Sequence, residues 1–141
     1  MNIFCIVGYD NMMTNTSMSV YNKYTDNKKD IVYKKKLIKY VFWDDSLGIN
    51  TDTGYENADK VNIYIPFDKN SEDLKSYKEP KSYDGTGWTL QNGDFIVKGD
   101  VSINEVDGIK DLKNYEVFEI TLIDKKDFGS KNMQHFEIRG I

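Results

Sequence analysis

Apolar side chains recur at every second position along most of this chain, and no long segment carries the three-to-four spacing of an amphipathic helix. Met18 to Tyr24 is one such run. Thr25-Asp26-Asn27-Lys28-Lys29-Asp30 then makes a polar turn, and Ile31 to Asp44 resumes the alternation, so the two limbs read as a hairpin. In the second limb Leu37, Lys39, Val41 and Trp43 fall on one face, and Ile38, Tyr40 and Phe42 on the other. Bulky groups on both faces predict a central strand covered on both sides for part of its length. Gly48 to Asp59 is polar and turn-rich. Lys60 to Phe67 is the next strand, with Val61, Ile63, Ile65 and Phe67 inward and Asn62 and Tyr64 outward. Pro66 lacks a ladder donor, which places it at an edge or a strand end.

Asp68 to Gly87 carries few apolar residues and reads as one long irregular loop. Trp88 to Leu90 allows a short strand, and Asn92-Gly93 is a hairpin signal. Asp94 to Ile103 follows, with Phe95, Val97, Val101 and Ile103 on one face and Gly99 marking a bulge. Asp107 to Asn114 permits one helical turn. Tyr115 to Asp124 puts Phe118, Ile120 and Leu122 inward, and Gln134 to Arg139 is the last strand. Six or seven strands with at most one short helix predict an all-β fold, a small β-barrel or sandwich with one long loop. Residues 1–17 read as an N-terminal extension or arm, and 18–141 as a single β-barrel domain. The apolar run Ile3 to Val7 in the extension reads as a first strand or as an arm pairing with a neighbouring subunit. At five residues it is too short for a secretory core or a membrane helix, which predicts a reducing, cytosolic compartment and no membrane.

Composition removes several function classes. One Cys and one His among 141 residues leave no cysteine-rich zinc site and no multi-histidine centre. The formal net charge is -4 and Arg139 is the single arginine, which argues against a tight nucleic-acid binder. Asp44 and Asp45 are adjacent on a strand and point apart, so they cannot share a proton as a catalytic dyad does. Cys5 is far in sequence from His135, its only candidate base. Gly85-Thr86-Gly87 lacks the lysine and helix of a phosphate loop. Asp107, Asp111, Asp124 and Asp127 lack calcium-loop spacing. No catalytic residue, metal or cofactor is therefore expected. Tyr33, Tyr40, Tyr64 and Trp88 with Lys34, Lys35, Lys36 and Lys39 are candidates for a stacking platform for single-stranded nucleic acid, as in an OB-type barrel. Consecutive lysines on a strand alternate in direction, which weakens that reading.

Four segments together resemble a known family. They are Ser19 to Tyr24 with Lys39 to Asp44, Ala58 to Pro66, Gly93 to Gly99, and Asp127-Phe128-Gly129-Ser130 running into Met133-Gln134-His135-Phe136. The resemblance covers roughly residues 18–140 and is most specific in the last segment. The chain resembles small neck or head-closure proteins (stopper-like head–tail connectors) of tailed phages and prophages of Gram-positive bacteria. What the resemblance implies is a virion structural protein, made in the host bacterial cytoplasm, that forms a homo-oligomeric ring, commonly sixfold. Its partners would be portal and adaptor proteins on the head side, and the tail terminator or tail tube on the tail side. Genomic DNA would pass through without sequence recognition. A tail terminator or tail completion role is the near alternative, and the OB-like module is the alternative from another class. Strand addition at open edges would be a natural means of joining ring subunits. The 68–87 loop is the candidate interface or channel element, through Asp68, Lys69, Asn70, Glu72, Asp73, Lys75, Lys78, Lys81, Asp84, Gly85 and Gly87. Deleting residues 70–86 is expected to leave the fold intact while DNA leaks from filled heads.

Overall fold

The computed structural model describes residues 13–45 and 60–141. The expectations for Ile3 to Val7, Cys5 and Gly48 to Asp59 fall outside the described residues. The alternating runs form β1 (Thr16–Thr25), β2 (Ile31–Asp44), β3 (Val61–Pro66), β4 (Phe95–Lys98), β5 (Glu105–Val106), β6 (Val117–Lys126) and β7 (His135–Gly140). Every ladder is antiparallel. β1 pairs with β4, β4 with β6, β6 with β7, β7 with β3, β3 with β2, and β2 returns to β1. Six strands thus close a circle, and the two-residue β5 adds to β2. The all-β barrel fold read from the sequence is the fold of the chain. Pro66 ends β3, where its missing donor does no harm.

Closure changes one expectation. A sheet closed on itself leaves no long free edge in its six-stranded circle, and the short β5, paired with β2 alone, is the exception. The barrel also begins before residue 18. Asn15 pairs with β2 through its backbone N–H to Val41 O (2.9 Å), and its side chain accepts from Trp43 N–H and donates to Trp43 O.

Two bulges shift the inward phase. Thr16 faces Val41 and Met18 faces Ile38, so β2 carries one extra residue there. Ile38 therefore joins Val41 and Trp43 inside, instead of lying on the opposite face, and Lys39 and Tyr40 are both exposed. In β6, Ile120 faces Gly140 and Leu122 faces Arg139. Phe118 and Ile120 are buried as expected, but the extra residue turns Leu122 out to solvent and brings Ile123 against the core.

A second apolar cluster lies outside the barrel wall. Tyr21 of β1 with Phe95 and Val97 of β4 is covered by Val101, Val106 and Leu112. These come from residues 99–116, a flap containing β5 and a 3-10 turn at Ile109–Leu112. Gly99, at φ 91, ends β4 at Lys98, so the expected strand to Ile103 stops early and the chain peels off. Ser19 Oγ donates to Gly99 O (2.7 Å) and accepts from Val101 N–H (3.0 Å), and Tyr21 Oη donates to Ile103 O (2.6 Å). Burial, with smaller contributions from Tyr115 and Asp100, pushes the Tyr21 hydroxyl up to about 12, so it stays a neutral donor. Tyr33 of β2 stacks on Phe95 with ring centroids 4.7 Å apart. β2 thus serves both clusters, as its two bulky faces imply.

Candidate functional site

Antiparallel neighbours put the ends of β1, β3 and β6 at one end of the barrel. The 68–90 segment leaves from β3 there and returns to β4 at the same end. It is folded rather than irregular. It holds a 3-10 turn at Asp68–Asn70, an α-helical turn at Ser71–Leu74 and a 3-10 turn at Pro80–Ser82. Its apolar anchors enter the main core. Trp88 and Leu90 are fully buried, and Leu74 and Tyr77 pack beside them. Trp88 stands edge-on to Tyr77 (4.9 Å) and Phe136 (6.4 Å) and donates through Nε1 to Asp73 O (2.7 Å). The strap crosses itself where Trp88 N–H donates to Ser76 O (3.1 Å) and Lys78 N–H donates to Trp88 O (2.8 Å). Because residues 70–86 carry this structure, their deletion would remove part of the core rather than spare the fold.

The sequence-derived site residues divide accordingly. Asn70 is buried and donates to Tyr40 O (2.8 Å) and Pro66 O (2.7 Å). Asp73 pairs with Lys36 at 2.7 Å, and Lys75 with Glu72 at 2.9 Å. Lys78 pairs with Asp84 at 2.8 Å. The Lys78 ammonium, then the Thr86 hydroxyl and N–H, hold the Asp84 carboxyl well below its ordinary value. Gly85 sits against the Tyr24 ring, and Gly87 against Ser76 O. Asp68, Lys69 and Lys81 are exposed. With two of its four lysines set against its own acids, the strap presents a charge mosaic and not a phosphate groove.

The stacking candidates do not share a face. Trp88 is in the core, and Tyr33 is in the second cluster. Tyr64 lies between Phe42 (6.1 Å) and His135 (5.6 Å), and Tyr40 alone is exposed. Of the lysines, Lys34 lies over the Tyr24 ring, Lys35 pairs with Asp100, Lys36 with Asp73, and Lys39 is exposed. Asn62, on the outer face as expected, is nonetheless covered, and donates to Tyr64 Oη (2.9 Å) and toward Glu137.

The expected strand at 88–90 makes no ladder. A buried polar cluster replaces it. Asn22 Nδ2 donates to Thr89 O (2.7 Å), and Asn22 Oδ1 accepts from Thr89 N–H (3.0 Å), so one amide side chain acts as a strand neighbour. Asp94 accepts from Asn22 Nδ2 (2.9 Å), Gln91 Nε2 (3.0 Å) and Lys23 N–H (3.0 Å). Sequence reading missed this cluster; its one signal is an amide inside an apolar strand. Burial raises the Asp94 carboxyl above its ordinary value, against the three donors. A raised value means that the folded state holds the proton more tightly than the unfolded state. The Asp94 contribution to stability is therefore full below the ordinary carboxylate value and is lost as pH rises through the raised one. Urea midpoints taken across that window should show this downward component in the wild type. Asp94→Asn should lack it; an unchanged slope in the variant would contradict the assignment.

The closing family-like segment is displayed at the tip of the β6–β7 hairpin. Asp127, Phe128, Gly129 and Ser130 are exposed, while Met133, Gln134 and His135 are half-buried and Phe136 is core. The tip is internally built. Gln134 Nε2 donates to Gly129 O (3.1 Å), Met133 N–H donates to Ser130 O (3.0 Å), and Gly129 takes φ 83. His135 Nδ1 lies 2.9 Å from Met133 O and so carries its proton toward that carbonyl. Asp124 pairs with Lys126, and Asp111 accepts from Asp107 N–H. Among the described residues no group of three or more His, Cys, Asp or Glu is placed to hold a metal ion. None of their helices is long and apolar enough to cross a membrane.

No curated protein and no solved structure matches the chain. One family profile matches residues 13–141, nearly all of the described barrel with its strap, flap and tip. The chain belongs to that family, the family of unknown function DUF6751.

Proposed function

We propose that this chain is a structural protein of the head–tail connector of a tailed phage, working as a ring in the neck without catalysis of its own. The observation that supports the reading is the tip of the β6–β7 hairpin. The segment with the most specific resemblance anchors Phe136 in the core and holds its first half, Asp127 to Ser130, out on an ordered turn, with Phe128 71% exposed. An aromatic ring held out in solvent suits a contact with another protein. The strap, closed by its own ion pairs across one barrel end, suits a surface that faces a neighbouring ring or the DNA duct without gripping phosphate.

The test is the mass of the purified chain in solution, alone and mixed with the head-side and tail-side proteins encoded beside it. A ring, or a monomer converted to a ring by either component, supports the reading. A particle indifferent to both components overturns it.

A further inference from the structure

Asn92-Gly93 is the one Asn-Gly pair in the sequence; every other asparagine is followed by a residue with a side chain. The pair forms the centre of a tight turn between the strap and β4, in which Asp94 N–H donates to Gln91 O (3.2 Å). Gly93 takes φ 92 and Asn92 does not take a positive φ, the pattern of a type II turn. Asn92 is exposed, and its amide has no hydrogen-bond partner among the described residues. Nothing lies within 4 Å of the Cβ position of Gly93, so the surroundings of the pair are open. A free asparagine amide beside an uncrowded glycine nitrogen is the chemical requirement for intramolecular deamidation.

We propose that Asn92 is a self-modifying site that deamidates through Gly93, and that the isoaspartate form so made loosens the strap from the barrel. Base removes the Gly93 amide proton, and the nitrogen attacks Asn92 Cγ. A new C–N bond closes a five-membered imide, the Cγ–Nδ2 bond breaks, and Nδ2 leaves as ammonia with a proton from water. Water then opens the ring at one of its two carbonyls, leaving aspartate or isoaspartate. One amide and one water become one carboxylic acid and one ammonia, and nothing is oxidised or reduced.

The turn sets the rate. Gly93 N–H donates to Ile120 O (2.9 Å), and Ile120 N–H donates to Asp94 O (2.9 Å). Attack therefore waits on opening at this end of the short β4–β6 ladder, next to the β6 bulge between Ile120 and Leu122.

The position gives the reaction its consequence. Gln91 and Asp94 flank the pair, and both belong to the buried cluster that joins the strap at Thr89 to Asn22. Isoaspartate routes the chain through its β-carbon and so adds one backbone methylene between them. The turn that brings Gln91 Nε2 to Asp94 then no longer closes in register, and the cluster loses its fit.

The test incubates the full chain in mildly alkaline and in mildly acidic buffer, as wild type, Gly93→Ala and Asn92→Asp. Peptide mass spectrometry reads the conversion of amide to acid, and an isoaspartyl methyltransferase labels the isoaspartate. In wild type the peptide carrying residues 91–94 should convert before any other asparagine, and faster in the alkaline buffer. Gly93→Ala should lose that signal over the same period, because its methyl group crowds the attacking nitrogen. The converted fraction, separated by its added negative charge, should show a lower urea midpoint than fresh chain. Fresh Asn92→Asp carries the charge on an unaltered backbone and should keep the wild-type midpoint. An unchanged peptide, an earlier conversion elsewhere, or equal conversion in Gly93→Ala overturns the site. A converted fraction as stable as fresh chain, or Asn92→Asp losing as much as that fraction, overturns the loosening of the strap by isoaspartate.

Discussion

Gly87→Ala should destabilise the barrel severely, by on the order of 3–4 kcal/mol, and lower the melting temperature by roughly 10 °C. Gly87 has φ 71, a left-handed conformation that an L side chain adopts only with strain. A Cβ built there lies 2.2 Å from Ser76 O, and that neighbour is backbone. Ser76 O cannot retreat cheaply, because it accepts the Trp88 N–H bond at 3.1 Å. Relief of the clash would part the strap where it crosses itself and pull Trp88 from the core. Gly93→Ala is the control. Gly93 has φ 92, but nothing lies within 4 Å of its Cβ, so only the conformational penalty of about 1 kcal/mol remains. Thermal melts of the two variants should differ widely. Equal losses would mean that the close approach at Ser76 relaxes without consequence.

The same contrast shows what the sequence could reveal. Period-two alternation marks strands because side chains alternate across a sheet, so Val61, Ile63 and Ile65 were legible as a buried face. Pro66 was legible as a strand end because it lacks a ladder donor, whereas Gly99 reads as a bulge and in fact ends β4. The two real bulges were not legible. A one-residue slip at 39–40 or at 121 leaves the composition of the strand unchanged, and only the partner strand fixes the register. That is why Ile38 and Leu122 each sit on the face opposite to the one expected. β5 is two residues long and forms only because β2 offers it an edge. The strap escaped for another reason. Leu74, Tyr77 and Trp88 are irregularly spaced in a polar stretch, and what orders them is a core built by distant strands. Of the site, the tip was legible as a turn, because Phe128-Gly129-Ser130 breaks the alternation between the last two strands.

The Asn22 cluster is the extreme case, because 67 residues separate the groups it joins. Asn22→Leu, which preserves the approximate volume, should destabilise the protein by about 3–5 kcal/mol in urea denaturation. The variant leaves the buried Thr89 N–H and C=O without partners, and removes one of the three donors to Asp94. Each orphaned buried group costs about 1–3 kcal/mol, and a buried carboxylate more. Asn22→Asp separates this account from simple crowding. Its carboxylate can still accept from Thr89 N–H, but it sets a second negative charge beside Asp94, where Nδ2 now sits 2.9 Å from Oδ2. Two carboxylates that close cannot both stay ionised, so the pair should hold a shared proton at values well above the ordinary carboxylate range. Asn22→Asp should therefore be strongly destabilised at neutral pH and recover as pH falls through that raised range. Asn22→Leu has no such group and should not recover. If Asn22→Leu loses less than about 1 kcal/mol, the strap is held by Trp88 packing alone and the amide is dispensable. If both variants lose stability without any difference in pH dependence, the damage comes from packing at β1 and not from the hydrogen bonds to Thr89 and Asp94.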